Sequence, residues 1–209
     1  MADKALSWSY TEDYLREDPV LEAARLRASE LGCVCVSPGA GSVLRLLAAS
    51  LGANAVLELG TGVGVSGLWA LSGMGPTGVL TTIDIEAEFH KVAKSAFAQA
   101  GVAPARTRII TGRALDVLPR MAPNAYDMAI VDTEACEAQS YVEHLERILR
   151  PGGLAVFLHA LWFDHVADPA RREPDTVAMR ELVKSFRDND NWMPTLLPSA
   201  DGILVALKR

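Results

Sequence analysis

Four side chains able to do chemistry stand at or near the ends of apolar runs. In "VLELGTGVGVSG" (56–67) Glu58 precedes Gly60, Gly62 and Gly64; "VLTTID" ends in Asp84, "YDMAIVD" in Asp132, and "GGLAVFLHALW" (152–162) delivers His159. Glycines after a strand let the backbone approach a ligand closely, and in open α/β sheets ligands bind outside the carboxyl ends of the strands. Gly62, Gly64 and Gly67 fit the dinucleotide pattern GxGxxG, but the first of them lies beyond the end of the strand. The nested ExGxGxG from Glu58 to Gly64 begins inside the strand and sets a carboxylate beside the loop. That suits a ligand with an ammonium and a sulfonium better than a pyrophosphate. Asp84 can accept from both hydroxyls of a ribose, which either ligand carries, so it does not discriminate.

These residues need a sheet to hold them. "AVLEL" (55–59), "VLTTID" (79–84), "TRIIT" (107–111), "YDMAIVD" (126–132) and "LAVFL" (154–158) lack alternation, as parallel strands covered on both faces do. Between them Phe89, Val92, Ala93, Ala96, Phe97 and Ala100 share one helical stripe; Tyr141, Val142, Leu145, Ile148 and Leu149 share another, which "RPGG" is expected to stop. Near the end "WMPTLLP" (192–198) and "GILVAL" (202–207) are joined by "SAD", a turn short enough for antiparallel strands. The reading is α/β: a doubly wound, mostly parallel seven-stranded sheet with an antiparallel last hairpin. One or two helices within 11–31 and another starting at "SPGAG", capped by Ser37 with Pro38 in its first turn, are expected to cover the ligand edge. The 209 residues then form one domain, with 1–50 as a helical cover and 51–209 as the α/β core.

Composition removes whole classes of function. Hydrophobic residues make up 50% and charged residues 22% of the chain, which excludes disorder, and a net charge of −6 argues against a nucleic-acid partner. "MADKALSWSYTEDY" lacks the basic start and apolar centre of a signal peptide, and no run is long enough to span a bilayer. The expected location is cytoplasmic, without a membrane partner. Cys33, Cys35 and Cys136 read as free thiols.

The order Glu58-Leu59-Gly60-Thr61-Gly62-Val63-Gly64, then "TTIDIE", "YDMAIVD", "LRPGGL" and "DGILVA", resembles the S-adenosylmethionine-dependent O-methyltransferases of the catechol and caffeoyl-CoA type, especially their small bacterial members. The resemblance covers nearly the whole chain, from about Tyr14 to Lys208. It implies S-adenosylmethionine as cofactor, held along the loop from Glu58 through Gly60, Thr61, Gly62 and Gly64. Glu58, Gly60 and Ser66 would lie along its methionine part, Asp84 on its ribose, Arg113 and Ala114 near its adenine, and Val36 and Ser37 over it. It also implies a small-molecule acceptor and a homodimer.

The resemblance breaks at one place. In the family a divalent metal is held by an Asp at the end of the fourth strand and an Asp-Asn pair after the fifth. Asp132 keeps the first position, Leu158 and His159 take the other two, and the family's lysine is Ala135. Magnesium needs hard oxygen ligands, so its usual site is expected to be lost. His159 is then a general base acting beside Asp132, a ligand with Asp132 and Glu134 for a softer metal, or a pocket wall. Trp162, in the following loop, is placed to stack on a planar acceptor. The functional reading is an O-methyltransferase with an atypical site. The alternatives are a cofactor-binding protein with impaired catalysis, serving as sensor or partner subunit, and a nicotinamide-dependent oxidoreductase.

Overall fold

The computed structural model describes residues 4–209; the first three residues of "MADKALSWSYTEDY" lie outside the described range. Strands β1 (Ala55–Leu59), β2 (Val79–Asp84), β3 (Thr107–Thr111), β4 (Tyr126–Val131), β5 (Leu149–Phe157), β6 (Trp192–Leu197) and β7 (Ile203–Lys208) form one sheet in the order β3-β2-β1-β4-β5-β7-β6. The first five are parallel, and β7 runs antiparallel to both β5 and β6. Helices α1 (Lys4–Glu12), α2 (Pro19–Leu31), α3 (Pro38–Leu51), α4 (Val65–Gly73), α5 (Ala87–Gln99), α6 (Ala114–Val117), α7 (Ala135–Ile148) and α8 (Pro174–Arg187) lie around it.

Because successive strand residues point to opposite faces, each inner strand feeds two cores. Val56, Leu80, Ile130 and Val156 pack with α2, α3, α4 and α5 on one face; Leu57, Ile83, Val131 and Phe157 pack with α7 and α8 on the other. This double burial is why those strands show no polar alternation. On the second face Phe186 meets Phe157 edge-on at 5.3 Å between ring centres and Trp192 at 5.1 Å. Burying rings of that size stabilises by roughly 1.5 to 3 kcal/mol each.

Four expectations need correction. β3 is an edge strand with no residue fully buried, since only β2 flanks it. β5 starts at Leu149 rather than Leu154: "RPGG" follows α7 as expected but pairs on as strand, through a register shift against β4 between Tyr126 and Met128. α1 begins at Lys4, ahead of the expected 11–31 window. α2 packs on α4 and α5, α3 on α4 and α1 on α3, and of this amino-terminal part the segment 32–36 lines the crevice. Ser37 does cap α3, its hydroxyl accepting from the Ala40 N–H at 3.2 Å.

Strand register sets up the site. Leu59 pairs with Ile83 and with Val131, Asp84 with Thr111, and Val131 with Phe157, so Gly60, Asp84, Gly112, Asp132 and Leu158 emerge along one edge. At that edge Glu12 of α1 is buried, accepting from the N–H of Gly39 at 2.9 Å and of Ala200 at 3.1 Å. No helix among the described residues is long and apolar enough to cross a membrane.

Candidate active site

Three strand ends converge on Gly60. Its N–H donates to the Ile83 carbonyl at 2.9 Å, and the Asp132 N–H donates to the Leu59 carbonyl at 2.8 Å. With φ at 90°, a Cβ on Gly60 would stand 1.9 Å from the Asp132 carbonyl oxygen, so only glycine fits. Gly62, at φ 47°, donates its N–H to one Asp84 carboxylate oxygen at 2.9 Å; the other accepts from the Glu86 N–H at 2.9 Å. Asp84 thus shapes both the glycine loop and the entry to α5.

Glu58 lies beneath the loop, fully buried. One carboxylate oxygen accepts from Ser66 Oγ at 2.7 Å and the other from Thr82 Oγ1 at 2.6 Å, while Thr82 and Thr61 share a bond of 2.6 Å. Burial pushes the Glu58 carboxyl up to about 7 against these bonds. The expected open carboxylate for a ligand ammonium is therefore corrected: both Glu58 oxygens are already engaged below the floor of the crevice. Thr82 was missed, although a "TT" inside a buried run was a visible signal.

The crevice has two continuous lobes that share Gly60, Asp84, Phe89, Asp132 and Glu134. Ile83, Gly112, Arg113, Ala114 and Tyr141 extend one lobe; Val36, Thr61, Gly62, Ser66 and Cys33 extend the other. The Arg113 guanidinium turns to Glu137 at 2.8 Å. Ser37 and Gly64 are expected ligand contacts that do not line either lobe. The Ser37 hydroxyl is used as a cap, and a Cβ on Gly64 would meet Ala93 and Phe97 at 3.1 Å, so that glycine serves helix packing. Cys33, whose thiol a hydrogen bond with Cys35 holds down at about 7, sits beside Gly62 and was expected only as a free thiol.

His159 follows β5 at φ 55°, a left-handed conformation uncommon outside glycine. Its Nε2 faces Asp132 Oδ1 at 3.5 Å and its Nδ1 meets Asp201 Oδ2 at 3.2 Å. These two carboxylates raise the imidazole pKa, Asp132 first and Asp201 adding to it, against the opposing effect of burial. The Asp132 contact is the longer of the two. Leu158 is buried in the first core, and Ala135, the first residue of α7, is buried in the second. Both ring nitrogens of His159 point at carboxylates, and an aliphatic side chain stands where an oxygen ligand is needed, so this donor set does not fit an octahedral magnesium ion. Among the described residues no three His, Cys, Asp or Glu side chains are arranged to hold a metal.

Trp162 is half-buried against the second core, whereas its neighbour Phe163, 5.6 Å away between ring centres, is 65% exposed. His90 is buried, and its Nδ1 pairs with Thr111 Oγ1 at 2.9 Å. Asp201 was missed altogether, since "SAD" carries a turn signal and nothing that pairs it with a histidine 42 residues away.

The seven-stranded order with its reversed last strand, and a glycine loop facing an acidic strand end, define a nucleotide-cofactor methyltransferase. Residues 9–209 match the O-methyltransferase family model, and the chain belongs to that family. A Mycobacterium avium protein carrying the O-methyltransferase name is 45% identical over 200 residues, covering 96% of this chain and 90% of its own. A Corynebacterium glutamicum structure superposes with a TM-score of 0.90 at 30% identity, over 98% of this chain and 96% of that one. The O-methyltransferase TomG of Streptomyces achromogenes, solved with S-adenosylmethionine, gives a TM-score of 0.86 at 28% identity, over 100% and 99% of the two chains.

The Glu58 environment generates a stability prediction. Its folded pKa of about 7 lies above the ordinary 4.5, so its stabilising contribution is complete below pH 4.5 and disappears as pH rises through 7. Glu58→Gln, neutral at every pH, should remove a fall on the order of 3 kcal/mol between those limits. Urea unfolding of cofactor-free protein at several pH values measures it, and an unaltered pH slope in the variant would refute the account.

Proposed function

We propose that this protein is a cytoplasmic S-adenosylmethionine-dependent O-methyltransferase that methylates a hydroxyl of a small molecule without a metal ion, using His159 as general base beside Asp132. The single observation that carries the reading is His159, held between Asp132 and Asp201 at the strand edge where Gly60 and Asp84 form the cofactor crevice. The cofactor supplies an electrophilic methyl group on a sulfonium.

This chain's residues do the remaining work. Asp84 offers its free lone pairs to the ribose, Arg113 and Ala114 border the adenine, and Val36, Thr61, Gly62 and Ser66 enclose the methionine part. Glu58 orients Ser66 and Thr82 from below. The acceptor hydroxyl would sit between His159 Nε2 and Asp132. As its oxygen bonds the methyl carbon, the carbon–sulfur bond breaks, its electron pair stays on sulfur, and the hydroxyl proton passes to Nε2. Much of the acceleration comes from holding oxygen and carbon in line. Phe163, exposed in the loop after β5, and Trp162, whose ring meets it, would border the acceptor's approach.

A second reading rests on the loss of oxygen and amine groups at Leu158 and Ala135: a cofactor-binding protein that lacks turnover. A homodimer is the assembly we propose, supported by exposed apolar side chains on the amino-terminal helices, Leu6, Trp8 and Tyr10 among them.

Four outcomes are expected. S-adenosylhomocysteine should raise the melting temperature, as a ligand of the native state must, and Asp84→Ala should abolish most of that shift; an equal response to NAD would sink the cofactor assignment. Methyl transfer should survive excess EDTA, while His159→Ala lowers kcat by about 10² to 10⁴ with cofactor affinity kept. The acid limb of the wild-type rate profile should lie above pH 6.5, because the neutral ring is required and both carboxylates raise its pKa. Undiminished turnover in His159→Ala would remove the base, and S-adenosylhomocysteine binding without turnover on any acceptor would favour the second reading. Light scattering should return twice the 22.4 kDa chain mass.

A further inference from the structure

The residues that hold His159 form a compact latch between two distant parts of the chain. After β5 the backbone passes through positive φ at His159 (55°), Trp162 (46°), Phe163 (57°) and Asp164 (61°). Such conformations persist in non-glycine residues only where the surroundings over-determine them. Here the β6–β7 turn does so: the Ala160 N–H donates to the Gly202 carbonyl and the Leu161 N–H to the Asp201 carbonyl, both at 2.9 Å. Gly202, at φ 80°, lies so close that a Cβ would stand 2.4 Å from Leu161 Cγ. The side chain of Asp201 completes the latch. Its Oδ1 accepts from the Phe163 N–H at 2.6 Å and its Oδ2 meets His159 Nδ1 at 3.2 Å.

We propose that Asp201 is a positioning residue for methyl transfer: it fixes the orientation and tautomer of His159 so that Nε2 faces the acceptor hydroxyl at Asp132. Both carboxylates can only accept, and the shorter contact, 3.2 Å at Nδ1 against 3.5 Å at Nε2, favours the hydrogen of the neutral ring on the nitrogen beside Asp201. In the neutral imidazole the lone pair is then on Nε2, the atom turned toward Asp132 and the crevice. Without Asp201 the ring loses that bond, and the left-handed turn behind it loses the Phe163 anchor. The inference rests on the proposed base role of His159 for its catalytic consequence, whereas the orientation itself stands on the contacts of Asp201.

Two measurements on the full chain, saturated with S-adenosylhomocysteine or turning over, separate these parts. Nitrogen NMR of the His159 imidazole should show the Nδ1–H tautomer in the wild type. Asp201→Ala should bring in the other tautomer, and Asp201→Asn, which keeps an acceptor, should fall between. Asp201→Ala should lower kcat by about 10- to 100-fold, the usual scale for a residue supporting a catalytic group, with cofactor affinity unchanged. In a His159→Ala background the same substitution should cost nothing further, since it acts through the ring. Equal losses in both backgrounds, or an unchanged wild-type tautomer in Asp201→Ala, would overturn the proposal. If His159→Ala is fully active yet Asp201→Ala changes the tautomer, the base reading fails and the ring orientation by Asp201 stands.

Discussion

The close approach of three strand ends at Gly60 is the constraint on which the site depends. A parallel sheet delivers every carboxyl end to one edge, but that edge becomes a crevice only if the loop after β1 leaves it at once. The missing Cβ at Gly60 allows this, with the Asp132 carbonyl packed where a side chain would go. From that point the loop is pinned from two sides. Asp84 holds the Gly62 amide from above, and the Glu58 carboxyl holds Ser66 and Thr82 from below. The floor of the cofactor site is therefore a polar layer sealed inside an apolar sheet, and its hydroxyls and carboxyl satisfy one another as buried polar groups must.

Beside this loop, the end of β5 carries an imidazole between two carboxylates. An octahedral cation would concentrate positive charge between several oxygens, whereas an imidazole between Asp132 and Asp201 brings a charge that can come and go with a proton. The same two carboxylates that would welcome a cation raise the ring's affinity for that proton. Leu158, turned into the core, removes any remaining competition for a metal. Under the proposed base role of His159, activity follows the protonation of this ring rather than metal supply.

Much of this was legible in the sequence because it depends on local pattern. The five inner runs, the helical stripes and the "SAD" turn gave the parallel sheet and its last hairpin, and the glycine loop and Asp84 gave the crevice. What escaped depends on where elements stack. β3 reads like its neighbours, since a short apolar run does not reveal whether one strand or two flank it. Glu58 reads as a ligand partner because burial beneath the loop is set by Thr82 on the adjoining strand. The burial of Trp162 and of His90 is hidden for the same reason, their surroundings being supplied by other elements of the fold. Asp201 left no trace, because its meaning comes from a loop that a different strand brings to it.

Glu12 joins residues 188 positions apart when it accepts from Ala200. The segment that follows α1 and the turn that carries Asp201 are thus closed by one carboxylate near the start of the chain. During synthesis at about 5 to 20 residues per second, this carboxylate waits some 10 to 40 s for its distant partner to leave the ribosome. Until then the glycine loop can form, but the histidine lacks its latch. A chain that stopped before the β6–β7 turn would hold the glycine loop without the carboxylate that meets His159, so the two ends of the crevice edge are completed at different times in synthesis.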